Sequence, residues 1–384
     1  MKGASLVWLV VVPILVVSCR QSEKSSSTIE VVEGVTLVHN QRTPQFPEKA
    51  VVFEEDLAIS PEDADGNVIL SQPGQFAVDD QGYIFIVDRQ DFIIRVFDPQ
   101  GRYIRSIGKK GEGPGEFQGI LGMTFLPDGR MIFTDTTLRR TSLFDGEGNF
   151  LSTHKWRGFL LDLYLATDTA YLANETIFGQ PPRMFVKKFD LEGEELLSLG
   201  EFQPMGIKML RSGNNNYGIT LPYTPRSVLA GDPKSGLLYH CLNDSYLIET
   251  YNAEGTLFRK IDRPYDLLPF TDEDAQKYYD SFSENPNQVF VEMAKDVELP
   301  KVKTVSDFLV VDDQGNLWVG LHEEKKGEGL VLNAYDIFDP EGIYTAQVWS
   351  EFQPDLFKDG KMYTMITDAE GYRILKRFRV IWQE

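Results

Sequence analysis

The chain has 384 residues, with 38 Lys+Arg against 58 Asp+Glu and a formal net charge of −20. A charge of that sign argues against nucleic acid as a partner, because long-range repulsion opposes a phosphate backbone. Two cysteines exclude a disulfide framework and a cysteine-rich zinc site. Hydrophobic residues at 42% and aromatics at 12% suit a folded, strand-rich body, and length alone would divide it into two or three domains unless a repeat overrides that rule.

Lys2 is the only charge before Arg20, and the apolar run Ala4 to Val17 carries Pro13. The run is too short to span a bilayer that needs about 20 residues, and it has the form of a secretory signal peptide over residues 1–18. It ends in Val16-Val17-Ser18-Cys19, which resembles the lipobox of bacterial lipoproteins. That resemblance implies that Cys19 becomes the lipidated N-terminus and holds the protein to a membrane; the alternative is an ordinary signal with an incidental cysteine. Arg20 follows Cys19 where an Asp would resemble an inner-membrane retention signal, so an outer-membrane location is expected, on its periplasmic or surface face. Residues 19–34, Ser-rich at their start, are expected to be a flexible tether. The mature chain keeps one further thiol, Cys241, and has no disulfide to form within itself.

Residues 35–384 repeat themselves. A polar turn recurs between apolar strands, as in Val78-Asp79-Asp80-Gln81-Gly82, Leu126-Pro127-Asp128-Gly129 and Val311-Asp312-Asp313-Gln314-Gly315. Further copies stand at Gly231–Gly236 and Lys358–Gly360, and a degraded one at Ala166–Thr169, which makes six. A second signature, an aromatic residue followed by a polar turn, recurs five times, at Phe97–Gly101, Phe144–Gly148, Phe189–Gly193, Tyr251–Gly255 and Phe338–Gly342. Gly82 and Gly129 lie 47 residues apart, as do Gly101 and Gly148. A period of roughly 40–50 residues with four strands per unit marks a β-propeller. The first copy predicts strands at Phe76–Asp79, Tyr83–Val87, Ile93–Phe97 and Tyr103–Ile107. The run Tyr83-Ile84-Phe85-Ile86-Val87 is apolar throughout, as a strand covered on both faces can be.

Six first turns against five second turns leave the last blade short of an outer strand. Its third strand is expected near Tyr372–Ile381, and Lys49–Phe53 is the expected donor of the missing strand. The expected fold is therefore an all-β six-bladed propeller whose N-terminal strand closes the last blade, with a small helical insertion, about 267–300, between blades four and five. The alternative is an open sheet or a pair of sandwiches.

Gln75–Asp79, Ile86-Val87-Asp88, Ile94–Asp98 and Gly108–Phe117 together resemble an NHL repeat, and Met123 to Leu151 is a second copy. Over residues 45–384 the chain is similar to lipid-anchored six-bladed propellers of the NHL-repeat or TolB-like type from Gram-negative bacteria, a group with no single shared activity.

The spacing between the two turns locates insertions. It is 19 residues in copies one, two and four, about 24 in copy three and 27 in copy five. The excess is expected in loops at Asn174–Arg183 and His322–Gly329, between strands two and three. Larger insertions follow the fourth strands of copies three and four, at Gln203–Arg226 and Pro264–Thr304. In the second, Thr271-Asp272-Glu273-Asp274 reads as a capped helix start, Phe282 closes that helix, and another is expected near Gln288–Lys295. In an up-and-down blade all four positions fall on one rim, which is the expected binding face.

Candidate ligand-binding residues on that rim are Arg89, Arg139, Asn174, Glu175, Arg183, Tyr217, Arg226 and His322. The arginines, with Arg140, could select an anionic group by bidentate contacts; the alternative is solvated charges paired with nearby carboxylates. Calcium is the candidate cofactor, because hard oxygen ligands are abundant, with Asp88 and Asp135 as weak metal candidates that could instead simply begin turns. Asp63–Asn67 has a calcium-loop flavour without its closing Glu. The four histidines do not fall at matching blade levels, which argues against a zinc site. Lys110–Gly115 is Gly-rich but opens no helix, and no Gly-x-Ser-x-Gly site is present. The leading expectation is a cell-envelope lipoprotein binding a protein, peptide or glycan. A calcium-dependent hydrolase or lyase and a scaffold subunit of an envelope complex are the alternatives.

Overall fold

The second turn signature has a mechanical origin. In the copy at Asp98, one carboxylate oxygen accepts the N–H groups of Gln100 and Arg102, each at 2.9 Å, while Gly101 N–H closes the turn on Asp98 O at 2.8 Å. Gly101 takes φ +79, and a Cβ there would lie 2.7 Å from Leu57 Cδ1 in the preceding blade. Gly148 repeats this at φ +88, with a Cβ 2.7 Å from Ile107 Cγ1. The glycine thus serves both the turn and the close approach of neighbouring blades. Cations return the contact: Arg105 donates to Glu147 O at 2.6 Å, Lys188 to Ala253 O at 3.2 Å and Arg377 to Pro99 O at 2.7 Å, each reaching the second turn of the next blade.

The computed structural model describes residues 27–62, 69–156, 158–177, 179, 181–212, 215–282, 288–295, 297–327 and 330–383. They form six four-stranded antiparallel blades in sequence order. Blade one comprises Pro73–Val78, Ile84–Asp88, Ile93–Phe97 and Tyr103–Ile107. Blade two comprises Ile120–Phe125, Met131–Asp135, Arg140–Phe144 and Phe150–Lys155. Blade three comprises Phe159–Ala166, Ala170–Ile177, Arg183–Asp190 and Glu195–Phe202. Blade four comprises Ser227–Asp232, Leu237–Leu242, Leu247–Tyr251 and Leu257–Asp262. Blade five comprises Ser306–Val311, Leu317–Gly327, Leu330–Phe338 and Tyr344–Ser350. Blade six comprises Leu356–Lys358, Lys361–Thr367 and Arg373–Gln383, and the N-terminal strand Ala50–Ile59 completes it. The chain is an all-β six-bladed propeller, closed as the count of turns predicts.

Each interface between adjacent blades holds its own apolar cluster. Phe85, Val96, Phe117 and Phe133 fill the gap between blades one and two, and Trp318, Phe357 and Phe378 that between five and six. This arrangement buries Ile84–Asp88 and Met131–Asp135 at every position, which explains the unbroken apolar runs.

The N-terminal segment does more than donate one strand. Thr28–Val32 and Val35–His39 form a hairpin, and its second strand pairs in parallel with Leu257–Asp262 at the outer edge of blade four. Residues 28–34, expected within the tether, therefore belong to the folded body. The segment then crosses blade five, where Gln45 and Phe46 N–H donate to Tyr344 O and Thr345 O, before joining blade six. Asn40 fastens the crossing by donating to Gly342 O at 3.0 Å and accepting from Tyr344 N–H at 2.8 Å.

Two expected loops are strands instead. Ala170–Ile177 and Arg183–Asp190 pair out to Ile177 and Arg183, and Leu317–Gly327 and Leu330–Phe338 pair out to Gly327 and Leu330. The insertion at 203–226 contains a further hairpin, Ile207–Ser212 and Asn215–Thr220. The insertion at 264–304 contains helix α1, Asp272–Asp280, and helix α2, Gln288–Lys295. Thr271 caps α1 with a reciprocal bond to Asp274. The two insertions pack on each other through Ile219, Tyr278, Ala294 and Val297, a small satellite core on the rim.

Candidate functional site

The inner strands surround a central channel with a cavity of about 1420 Å³. On the insertion-bearing rim a second cavity, about 420 Å³, lies between blades three, four and five. That volume falls within the range that holds small organic groups. Its apolar lining includes Leu163, Met184, Leu229 and Phe308, and Pro204, Met205 and Ile207 of the insertion after blade three wall one side. Its polar lining includes Asp162, Tyr164, Asn174, Arg226, Ser227 and Asp307.

These polar groups are held by one another. Asn174 Oδ1 accepts Asp162 N–H at 2.9 Å, and Asn174 Nδ2 is 3.0 Å from both Asp162 Oδ2 and Tyr164 Oη. Arg226 sits where the insertion enters blade four. Its Nε lies 3.2 Å from Asp307 Oδ1 and its Nη2 3.2 Å from Asp307 O, while its N–H donates to Asn243 at 2.8 Å. His322 Nε2 is 3.2 Å from Thr304 Oγ1 and 3.6 Å from Asp307 Oδ2, with its ring edge-on to Tyr223. Asp162 reaches solvent inside the mouth yet is ringed by protein. That enclosure raises its pKa against the pull of the Asn174 amide and the Arg226 charge. Burial lowers the pKa of His322; Asp307 opposes the shift, and Lys303 and Arg226 reinforce it.

The structure brings three expected residues to this cleft: Asn174 and Arg226 line it, and His322 stands behind Asp307. The others lie elsewhere. Arg89 lines the channel at blade one. Arg139 stacks its guanidinium 4.6 Å from the Phe159 ring. Glu175 points away from Asn174, as neighbours on a strand must, and pairs with Lys187 at 2.9 Å. Arg183 forms a two-toothed pair with Glu201, at 3.0 and 2.7 Å, on the extended hairpin of blade three. The side chain of Tyr217 lies outside the described residues, as do Asp63–Asn67 and Cys19. Arg140 is buried, donating to the carbonyls of Glu112, Gly113 and Glu116, so the Gly-rich Lys110–Gly115 connection wraps a guanidinium of its own protein.

Asp88 and Asp135 occupy matching places at the ends of second strands. Asp88 accepts N–H groups of Ser71 and Gln72 at 2.8 and 3.1 Å and of Gln90 at 3.2 Å; Asp135 accepts those of Gln118 at 2.7 Å and Leu138 at 2.9 Å. Each thereby pins the incoming connection of its blade. Asn243 does the same in blade four through Arg226 N–H, which shows that the role needs an acceptor and not a charge. Among the described residues no three His, Cys, Asp or Glu side chains group as a metal site.

Asp162, Tyr164 and Asp307 were not among the expected residues. Asp162 is the only charge in Phe159–Ala166, and Tyr164 follows two places on, so both share a face of an otherwise apolar strand. A polar pair in such a strand was the available signal.

Residues 65–175 match the family model DUF5128, described as a 6-bladed beta-propeller. No curated protein matches the chain. Among solved structures, a Bacteroides fragilis NCTC 9343 protein classed as exported is 10% identical with a TM-score of 0.52, over 91% of this chain and 100% of that one. A member of the duf4221 family from Bacteroides vulgatus ATCC 8482 is 10% identical with a TM-score of 0.50, over 86% of this chain and 98% of that one. At this identity both likenesses concern the fold, which agrees with the six blades described above.

Proposed function

We propose that the protein is a lipid-anchored cell-envelope propeller, of the NHL-repeat or TolB-like type, that binds a peptide, protein or glycan ligand in the cleft between blades three, four and five. The observation that carries this reading is the convergence of Asp162, Asn174, Arg226 and Asp307 on one cavity whose wall is built by an insertion. Rigid strands hold the polar groups, and the insertion supplies apolar contact, the composition of a ligand site rather than of a tolerated surface loop. Likeness to a protein classed as exported supports a signal peptide.

Cys19 as the lipid-bearing residue sets the geometry of anchoring. Thr28 lies nine positions after Cys19, a reach of about 30 Å at full extension. Blade four's outer edge, where the N-terminal hairpin pairs, would then lie within that distance of the outer-membrane surface.

Melting curves with a panel of oligosaccharides and peptides test the binding site. A ligand of the cleft should raise the melting temperature of the parent protein but not that of Arg226→Ala or Asp162→Ala. A stabilising ligand whose effect survives both substitutions would place binding elsewhere. A stabilisation abolished by chelator alone would favour the calcium-dependent enzyme.

A further inference from the structure

The channel carries a second polar cluster, across the mouth from that cleft. Arg89 follows the second strand of blade one and Arg373 opens the third strand of blade six, so both stand at insertion-side ends of strands and both line the channel. They settle on the same stretch of blade one. Arg373 Nη1 donates to Pro73 O at 2.9 Å, and Arg89 Nη2 donates to Gln75 Oε1 at 3.0 Å. Among the described residues neither guanidinium has a carboxylate within ion-pair distance.

The two charges feel each other. Burial and then the Arg89 charge push the pKa of Arg373 below its ordinary range, against the pull of Asp355. Gly74 makes the arrangement possible: a Cβ there would lie 2.7 Å from Arg89 Nε and 3.1 Å from its Cγ, so the Arg89 side chain lies on bare backbone. In a chain with a net charge of −20, carboxylates to neutralise these arginines are plentiful. Two like charges that both rest on one strand of blade one, with most of their N–H donors lacking a partner among the described residues, instead form a fork-shaped receptor that an external anion would complete.

We propose that Arg89 and Arg373 form an oxyanion subsite at the channel mouth that takes a carboxylate or phosphate group of a ligand. The subsite is separate from the cleft between blades three to five and does not depend on it.

Titration calorimetry with inorganic phosphate and with glucuronate, run on the purified protein at low ionic strength, tests the subsite directly. Binding of at least one anion is expected. Arg89→Ala and Arg373→Ala should each weaken it by roughly tenfold, the scale of one lost charge-assisted hydrogen bond. Gly74→Ala should weaken it too, by displacing Arg89, with the melting temperature unchanged. A response to phosphate alone assigns a phosphate ligand, and a response to glucuronate assigns a carboxylate. The proposal is overturned if neither anion binds, or if the arginine variants bind as tightly as the parent while melting normally. No cleft ligand takes part, so failure to find one leaves this result intact.

Discussion

Asp336 is fully buried in the third strand of blade five, and its two oxygens are saturated. Oδ2 accepts from Arg263 Nε at 2.7 Å and from Tyr246 Oη at 2.5 Å; Oδ1 accepts from Tyr344 Oη at 2.7 Å and Gln347 Nε2 at 3.1 Å. Arg263, arriving from blade four, lies 4.6 to 5.1 Å from the ring centroids of Tyr246, Tyr265 and Tyr344. Desolvation cancels much of the attraction in such a pair, but removing one partner strands a buried charge. Asp336→Ala should therefore cost about 3–5 kcal/mol in denaturant unfolding. Arg183→Ala, which breaks an exposed and solvent-screened pair, should leave the unfolding midpoint almost unchanged. Gly148→Ala combines a positive φ with a 2.7 Å approach to Ile107, and a loss of roughly 1–3 kcal/mol is expected from strain and overpacking. Equal effects of Gly148→Ala and Arg183→Ala would contradict the role given to the turn glycines.

Among the elements, the helical insertion has an identifiable fastening. Burial would raise the pKa of Asp274, but the Lys303 ammonium and the Thr271 hydroxyl and N–H prevail and hold it at about 2. Lys303 Nζ lies 2.7 Å from Asp274 Oδ1. Because the folded pKa is depressed, this stabilisation is complete above the ordinary aspartate value of 3.8 and is lost as pH falls toward about 2. Hydrogen exchange should show α1 opening over that window before the blades do, and Asp274→Asn should open it at neutral pH. Simultaneous opening of helix and blades would refute a separate fastening.

The start of α1 was legible because Thr271 and Asp274 act within one turn of sequence. The extended hairpins were not. Glu323–Lys326 projects beyond the core, where nothing demands apolar alternation, so strand periodicity is silent there. The cleft was half legible for a related reason. Asn174, Arg226 and His322 could be placed on the rim from turn spacing, but which side chains meet depends on the register between blades, and Asp162 to Asp307 spans 145 residues of sequence. The hairpin at Thr28–His39 was hidden by the Ser-rich stretch before it.

For the whole molecule, the N-terminal segment works as a belt over blades four, five and six. A propeller is as stiff as its closure, and a preformed cleft at the mouth depends on the wheel staying shut. Removing residues 28–59 should expose the edge of Arg373–Gln383 and yield aggregated protein rather than a stable body with a three-stranded sixth blade. Cys19→Ser should release the protein from membranes into the soluble fraction with its melting curve intact; retention on membranes would contradict anchoring by lipid.

The closure itself has a direct test. Val52 and Ile381 face each other across the strand pair that joins the two ends of the chain, and both side chains are partly exposed. Facing residues of antiparallel strands lie within disulfide reach, about 4.5–5.5 Å between Cα atoms. Val52→Cys with Ile381→Cys should oxidise to an intrachain disulfide that runs faster on a non-reducing gel and raises the melting temperature. Thiols that stay free under oxidising conditions, or that link only separate molecules, would contradict the closed wheel.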